Sequence, residues 1–133
     1  MPLARFLALF GLVFLMTGCR SHAPNSHSRQ IVGPHAVVAF PVAVNGADKE
    51  VSMAVKFHSD GPLLDVYLVL DKDSQKLTDR LNNGQPAGDL ELIGMNGQKV
   101  GTLLATVPAN SGIHIVIRNR SEEQATVTWE MSN

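Results

Sequence analysis

The sequence has a single cysteine in 133 residues, at position 19. No disulfide can form within the chain, so in an oxidising compartment a folded domain must rest on its apolar core alone. Charge of one sign is scarce too. The formal net charge is −1, and no basic stripe interrupts the pattern, which excludes the electrostatic footprint of a nucleic-acid binder. The apolar run Phe6 to Met16 covers 11 residues, well short of the roughly 20 that a permanent bilayer-spanning helix needs. There is no G-x-S-x-G signature, no second cysteine and no internal repeat. A nucleophile paired with a base is therefore missing, and the chain reads as a non-enzyme without a cofactor. Its length fits one domain.

The first 18 residues read as a signal peptide. Arg5 supplies a short positive region, and the Phe6–Met16 run has the length of a signal-peptide apolar segment. The segment Leu15-Met16-Thr17-Gly18-Cys19 resembles the lipobox of bacterial lipoproteins, in which small residues precede a lipid-acceptor cysteine. That resemblance implies thioether acylation of Cys19, cleavage before it and anchoring by acyl chains. Two or more such chains, at about 0.8 kcal/mol per buried methylene, hold a protein stably at a bilayer. An ordinary secretory signal with an incidental cysteine is the alternative. Arg20 follows the cysteine where inner-membrane lipoproteins of enteric type tend to carry Asp. The implied address is the cell envelope, on the periplasmic side of the outer membrane rather than the inner one.

Residues 19–34 read as the lipid-bearing cysteine and a flexible tether. Arg20 to Pro34 is rich in Ser, His, Asn, Pro and Gly and carries no acid, which leaves little apolar surface to bury. Its two cations, Arg20 and Arg29, suit a position near anionic headgroups. His22 and His27 on such a strap lack the fixed geometry of a metal site.

From His35 to Asn133 the pattern has period two, with turn signals at short intervals. Rows such as Val38, Phe40, Val42 and Val44, or Val51, Met53, Val55 and Phe57, each supply one inward face. Asn45-Gly46 predicts a turn, and Asn96-Gly97 a hairpin turn between Leu90–Leu92 and Lys99–Val107. Leu77 and Leu81, four apart, predict a short helix over 73–82, capped by Asp73 or Ser74. The sum is all-β: a two-layer antiparallel β-sandwich of about seven strands with one short helix. This domain carries 8 Lys+Arg against 12 Asp+Glu, a balance of about −4.

The stretch Phe57-His58-Ser59-Asp60-Gly61-Pro62-Leu63-Leu64-Asp65-Val66-Tyr67-Leu68-Val69-Leu70-Asp71 resembles small secreted or membrane-attached β-sandwich modules of GOLD-like and pre-peptidase C-terminal type. So does the close, Val107-Pro108-Ala109 through Ile113–Asn119 and Ala125-Thr126-Val127-Thr128-Trp129. The likeness spans about residues 50–131. It implies an accessory interaction module, with an envelope protein or polymer as partner.

Candidate sites are few. His58, Ser59 and Asp60 are adjacent in sequence, which suits turn chemistry before Gly61-Pro62 better than catalysis. The stretch from Asp71 has Lys76 and Asn82 where a calcium loop of EF-hand type needs Gly and Glu. Aspartates 60, 65, 71 and 73 could still gather on one edge and hold a cation weakly. That is the alternative function: a small-ligand or cation-binding domain. His114 reads as a strand residue opposite the isoleucines, and Trp129 as core. The row Asp65, Tyr67, Val69 and Asp71 is the candidate partner contact if Leu64, Val66, Leu68 and Leu70 face the core. The competing expectation is a central strand whose second face the helix covers.

Overall fold

Alternation in the sequence becomes alternation in burial. In the strand Val51–Asp60, Met53, Val55 and Phe57 are buried while Ser52, Lys56 and His58 are exposed. The same holds for Ala125, Val127, Trp129 and Met131 in the last strand. The computed structural model describes residues 25–42 and 48–132. Cys19, the leader, His22, Val44 and the Asn45-Gly46 turn lie outside the described residues.

Eight strands are described: β1 (Asn25–Val32), β2 (Val37–Val42), β3 (Val51–Asp60), β4 (Leu64–Leu70), β5 (Glu91–Gln98), β6 (Val100–Val107), β7 (Ile113–Arg118) and β8 (Ala125–Ser132). Helix α1 (Asp71–Asn82) follows β4, and a single 3₁₀ turn (Gly88–Leu90) precedes β5. The first sheet has the order β1-β8-β3-β6 and the second β2-β7-β4-β5. Every pairing is antiparallel. The main core lies between the sheets, built from residues such as Val55, Phe57, Leu68, Leu103, Ile115, Ile117 and Val127. Trp129 of β8 is 5% exposed, and its ring lies 5.2 Å from that of Phe40 on β2 across the sandwich.

Three sequence expectations need correction. The segment read as tether supplies β1, paired with β8 over eight positions from Asn25↔Ser132 to Val32↔Ala125. The sandwich thus begins at Asn25 and not at His35, and this strand brings the about seven expected to eight. An edge strand can be held by its main chain with little apolar content. Of its inward positions only Val32 is fully buried, while Ser28 and Gln30 are half-buried.

Asn96-Gly97 does not close a hairpin. β5 and β6 belong to different sheets, and Gly97, with φ 63°, sits in the register shift between the Val66↔Met95 and Leu64↔Gln98 pairs of β4 and β5. That left-handed backbone favours glycine. Lys99 then carries the chain across, its carbonyl accepting from Ser59 N at 2.6 Å.

Helix α1 begins two residues before the expected start. Leu70 is its N-cap and gives no side-chain bond. Instead, Asp71 N donates to the Gly112 carbonyl at 3.0 Å, so the β6–β7 turn replaces the cap that Asp73 or Ser74 was expected to give. Leu77 and Leu81 do face inward as their spacing predicts.

Gly101 on β6 is a point of close approach. A methyl added there would stand 2.8 Å from the Phe57 ring and 2.7 Å from Met95 Sδ. Gly101→Ala should therefore cost about 1–3 kcal/mol through overpacking, read as a lower urea midpoint with unchanged slope.

Candidate functional site

The two outer faces of the sandwich differ. On the second sheet, Tyr67 and Val69 of β4 and Val116 of β7 pack beneath Leu77, Leu81 and Ala87. Tyr67 is 2% exposed and Val69 fully buried. The row Asp65, Tyr67, Val69 and Asp71 is therefore not a contact patch, and the expectation that made it one is corrected. The continuous apolar run of β4 reflects a central strand covered on both faces. Among the described helices, none lies over the first sheet.

Register places the residues of that bare face. One row across the sheet reads His27, Glu130, Lys56 and Thr102, and the next reads Arg29, Thr128, His58 and Val100. Outward neighbours on adjacent strands lie about 5 Å apart, so Arg29 and His58 flank Thr128. A groove along the face is lined by His27, Arg29, Lys56, His58, Thr128 and Val100, among others. His27 Nε2 lies 4.0 Å from Glu130 Oε1, an exposed pairing that contributes little stability. Ile31 of β1 and Val100 and Leu104 of β6 are 61%, 60% and 66% exposed. All three point outward on this sheet.

The acids singled out in the sequence do not meet. Asp65 and Asp71 mark the two ends of β4, about 20 Å apart at 3.3 Å per residue. Asp65 is buried against cations. Its Oδ2 accepts from Arg118 Nε at 2.8 Å and Arg120 Nε at 2.6 Å, and its Oδ1 from Gly97 N at 2.9 Å. Burial pushes its pKa up, but hydrogen bonds from Arg120, Arg118 and the Gly97 N–H outweigh that and hold it below the ordinary 3.8. Beside it, Tyr67 Oη donates to Asn96 Oδ1 at 2.5 Å. Asp71 Oδ1 instead meets His114 Nδ1 at 2.6 Å. Among the described residues no group of three or more His, Cys, Asp or Glu could hold a metal ion. The expected acidic edge is thus dispersed, each of these two acids being held by its own partner.

His58, Ser59 and Asp60 also separate. Ser59 turns inward, 2% exposed, and donates to the Pro62 carbonyl at 2.6 Å, while His58 and Asp60 are exposed on the opposite face. This is the turn chemistry expected of the segment.

The bare face went unread in the sequence, although a signal existed. β3 and β8 alternate cleanly, polar against apolar, as strands do when one side of a sheet meets water. The β4 run does not alternate.

No protein-family model matches the sequence, and no curated protein matches it. Among solved structures, the crystal structure of the Yersinia pseudotuberculosis-derived mitogen is similar, with a TM-score of 0.54 and 12% identity. The match covers 81% of this chain and 84% of that one. It shows a shared β-rich fold.

Proposed function

We propose that this chain is a lipid-anchored protein of the bacterial cell envelope whose β-sandwich is a non-catalytic contact module. The observation that carries the contact reading is the asymmetry of the outer faces. One is sealed by α1, whereas the other is bare and bears three of the four large apolar side chains that are exposed among the described residues. Three such side chains on the one uncovered face, though set apart from one another, single it out as the contact candidate. The anchoring reading is supported by the apolar run that ends at Thr17-Gly18-Cys19. Arg20 after the cysteine favours the outer membrane. Kinship with GOLD-like or pre-peptidase C-terminal modules belongs to the same proposal, and an envelope protein or polymer is the kind of partner those modules imply.

Cys19→Ser tests the anchor. The wild-type chain should fractionate with membranes and yield an amino-terminal peptide carrying acyl mass. The variant should lack that mass and either keep its leader or become extractable by aqueous buffer. Processing and fractionation of Cys19→Ser indistinguishable from wild type would refute the anchor.

A further inference from the structure

We infer that the bare face of the first sheet rests on the anionic headgroup layer of the membrane that holds the acyl chains, an inference that depends on the acylated-Cys19 reading above and gives this face to lipid in place of a protein or polymer partner. Chain reach is the first argument. Five residues lie between Cys19 and Asn25, where β1 begins. Six Cα steps span at most about 20 Å even when fully extended. β1 is the edge strand of the first sheet, so the bare sheet is the part of the sandwich leashed most tightly to the bilayer.

The apolar side chains come next. Ile31 lies on one edge strand, and Val100 and Leu104 on the other, with β8 and β3 between them. Three strand spacings of about 4.8 Å set the edges roughly 14 Å apart. Beside and between them stand Thr126, Thr128, Arg29, Lys56 and His58, together with the acids Asp60 and Glu130. A protein interface gathers its apolar residues into a contiguous, charge-poor centre. Here they are dispersed among hydroxyl groups and charges of both signs, an arrangement that suits a fluid interface. Three apolar side chains dip toward the acyl boundary while cations and hydroxyls meet phosphate and glycerol oxygens.

Charge orients the domain in the same sense. Residues 25–132 carry 9 Lys+Arg and 12 Asp+Glu, a balance of −3. On the bare face Arg29 and Lys56 balance Asp60 and Glu130. The excess of negative charge therefore lies elsewhere, on acids such as Asp89, Glu91, Glu122 and Glu123, while α1 balances Asp71, Asp73 and Asp79 with Lys72, Lys76 and Arg80. Anionic headgroups repel those acidic loops and ends, and between the two neutral outer faces the leash and the exposed apolar side chains favour the bare one.

The test uses the full lipidated chain in vesicles. Acylation consumes the Cys19 thiol, so Thr128→Cys provides one free thiol on the face and Gln75→Cys one on α1. Each is labelled with an environment-sensitive fluorophore and placed in vesicles containing phosphatidylglycerol, with a headgroup-borne quencher. The label at 128 should shift to the blue and be quenched, and the label at 75 should not. Adding Val100→Asp and Leu104→Asp should abolish the quenching at 128 while vesicle retention stays unchanged. Equal behaviour of the two labels on a chain shown by mass to carry acyl groups would overturn the orientation alone. A chain without acyl mass would remove the anchor and this inference together. If the label at 128 is exposed on pure lipid vesicles but protected in native membranes, a protein covers the face and the inference is wrong.

Discussion

Asp65→Ala is expected to cost about 3 kcal/mol of stability, because it leaves the partly buried Arg118 without its buried partner. The Asp65 carboxylate is 3% exposed and the Arg118 side chain 16%. Removal also strands the Gly97 N–H that Asp65 receives from β5. Urea unfolding followed by Trp129 fluorescence reads the loss, since the chain's single tryptophan lies in the core. Asp65→Asn isolates the charge. The folded-state pKa of Asp65 lies below its ordinary 3.8. Its stabilisation is therefore complete above 3.8, where both folded and unfolded forms are ionised, and is lost as pH falls through the lower, folded value. The Asn variant should be less stable at neutral pH and should lose this component of the acid limb. Equal stability of wild type and Asp65→Ala at neutral pH would show that the carboxylate holds nothing.

Tyr67→Ala should cost about 3–5 kcal/mol, as expected for truncating a buried aromatic beneath a helix. Tyr67→Phe separates the ring from its hydroxyl. Losing only the bond to Asn96 should cost about 1 kcal/mol. Burial, followed by the negative charge of Asp65, raises the Tyr67 pKa above the ordinary 10.0. Its neutral form is the one the fold favours, so this contribution is intact below pH 10.0 and fades as pH rises through the higher folded value. Tyr67→Phe should lack that alkaline component. A full-size loss for Tyr67→Phe would mean that the hydroxyl's bond to Asn96 of β5, and not ring packing beneath α1, carries the stabilisation.

Where side chains declared their environment, the fold was legible in the sequence. Clean alternation placed β3, β7 and β8, and the Leu77–Leu81 spacing placed α1. β1 was hidden because Ser28 and Gln30 occupy inward positions without apolar character. Its attachment runs through the main chain, to which composition is blind. Asn96-Gly97 misled for a different reason. The dipeptide fits a tight turn, yet here its glycine serves a register shift, and the chain turns between sheets rather than back along one. At the candidate contact site, Tyr67 looked like surface because its row contains Asp65 and Asp71. Both acids are explained by distant partners, Arg118 and Arg120 for one and His114 for the other, with sequence separations of more than 40 residues. No local pattern reports such pairings.

β8 is the last of the described strands in chain order and an inner strand of its sheet. β1 and β3 each pair with it, and neither pairs with the other. A chain emerging from its amino terminus therefore cannot assemble the first sheet until residues 125–132 have appeared. The ladder that closes then joins positions about a hundred residues apart, a high contact order that places folding in the slow, millisecond-to-second range. If the leader directs export as proposed, this order of events keeps the sheet open until residues 125–132 have crossed, and only then does the bare face come into existence.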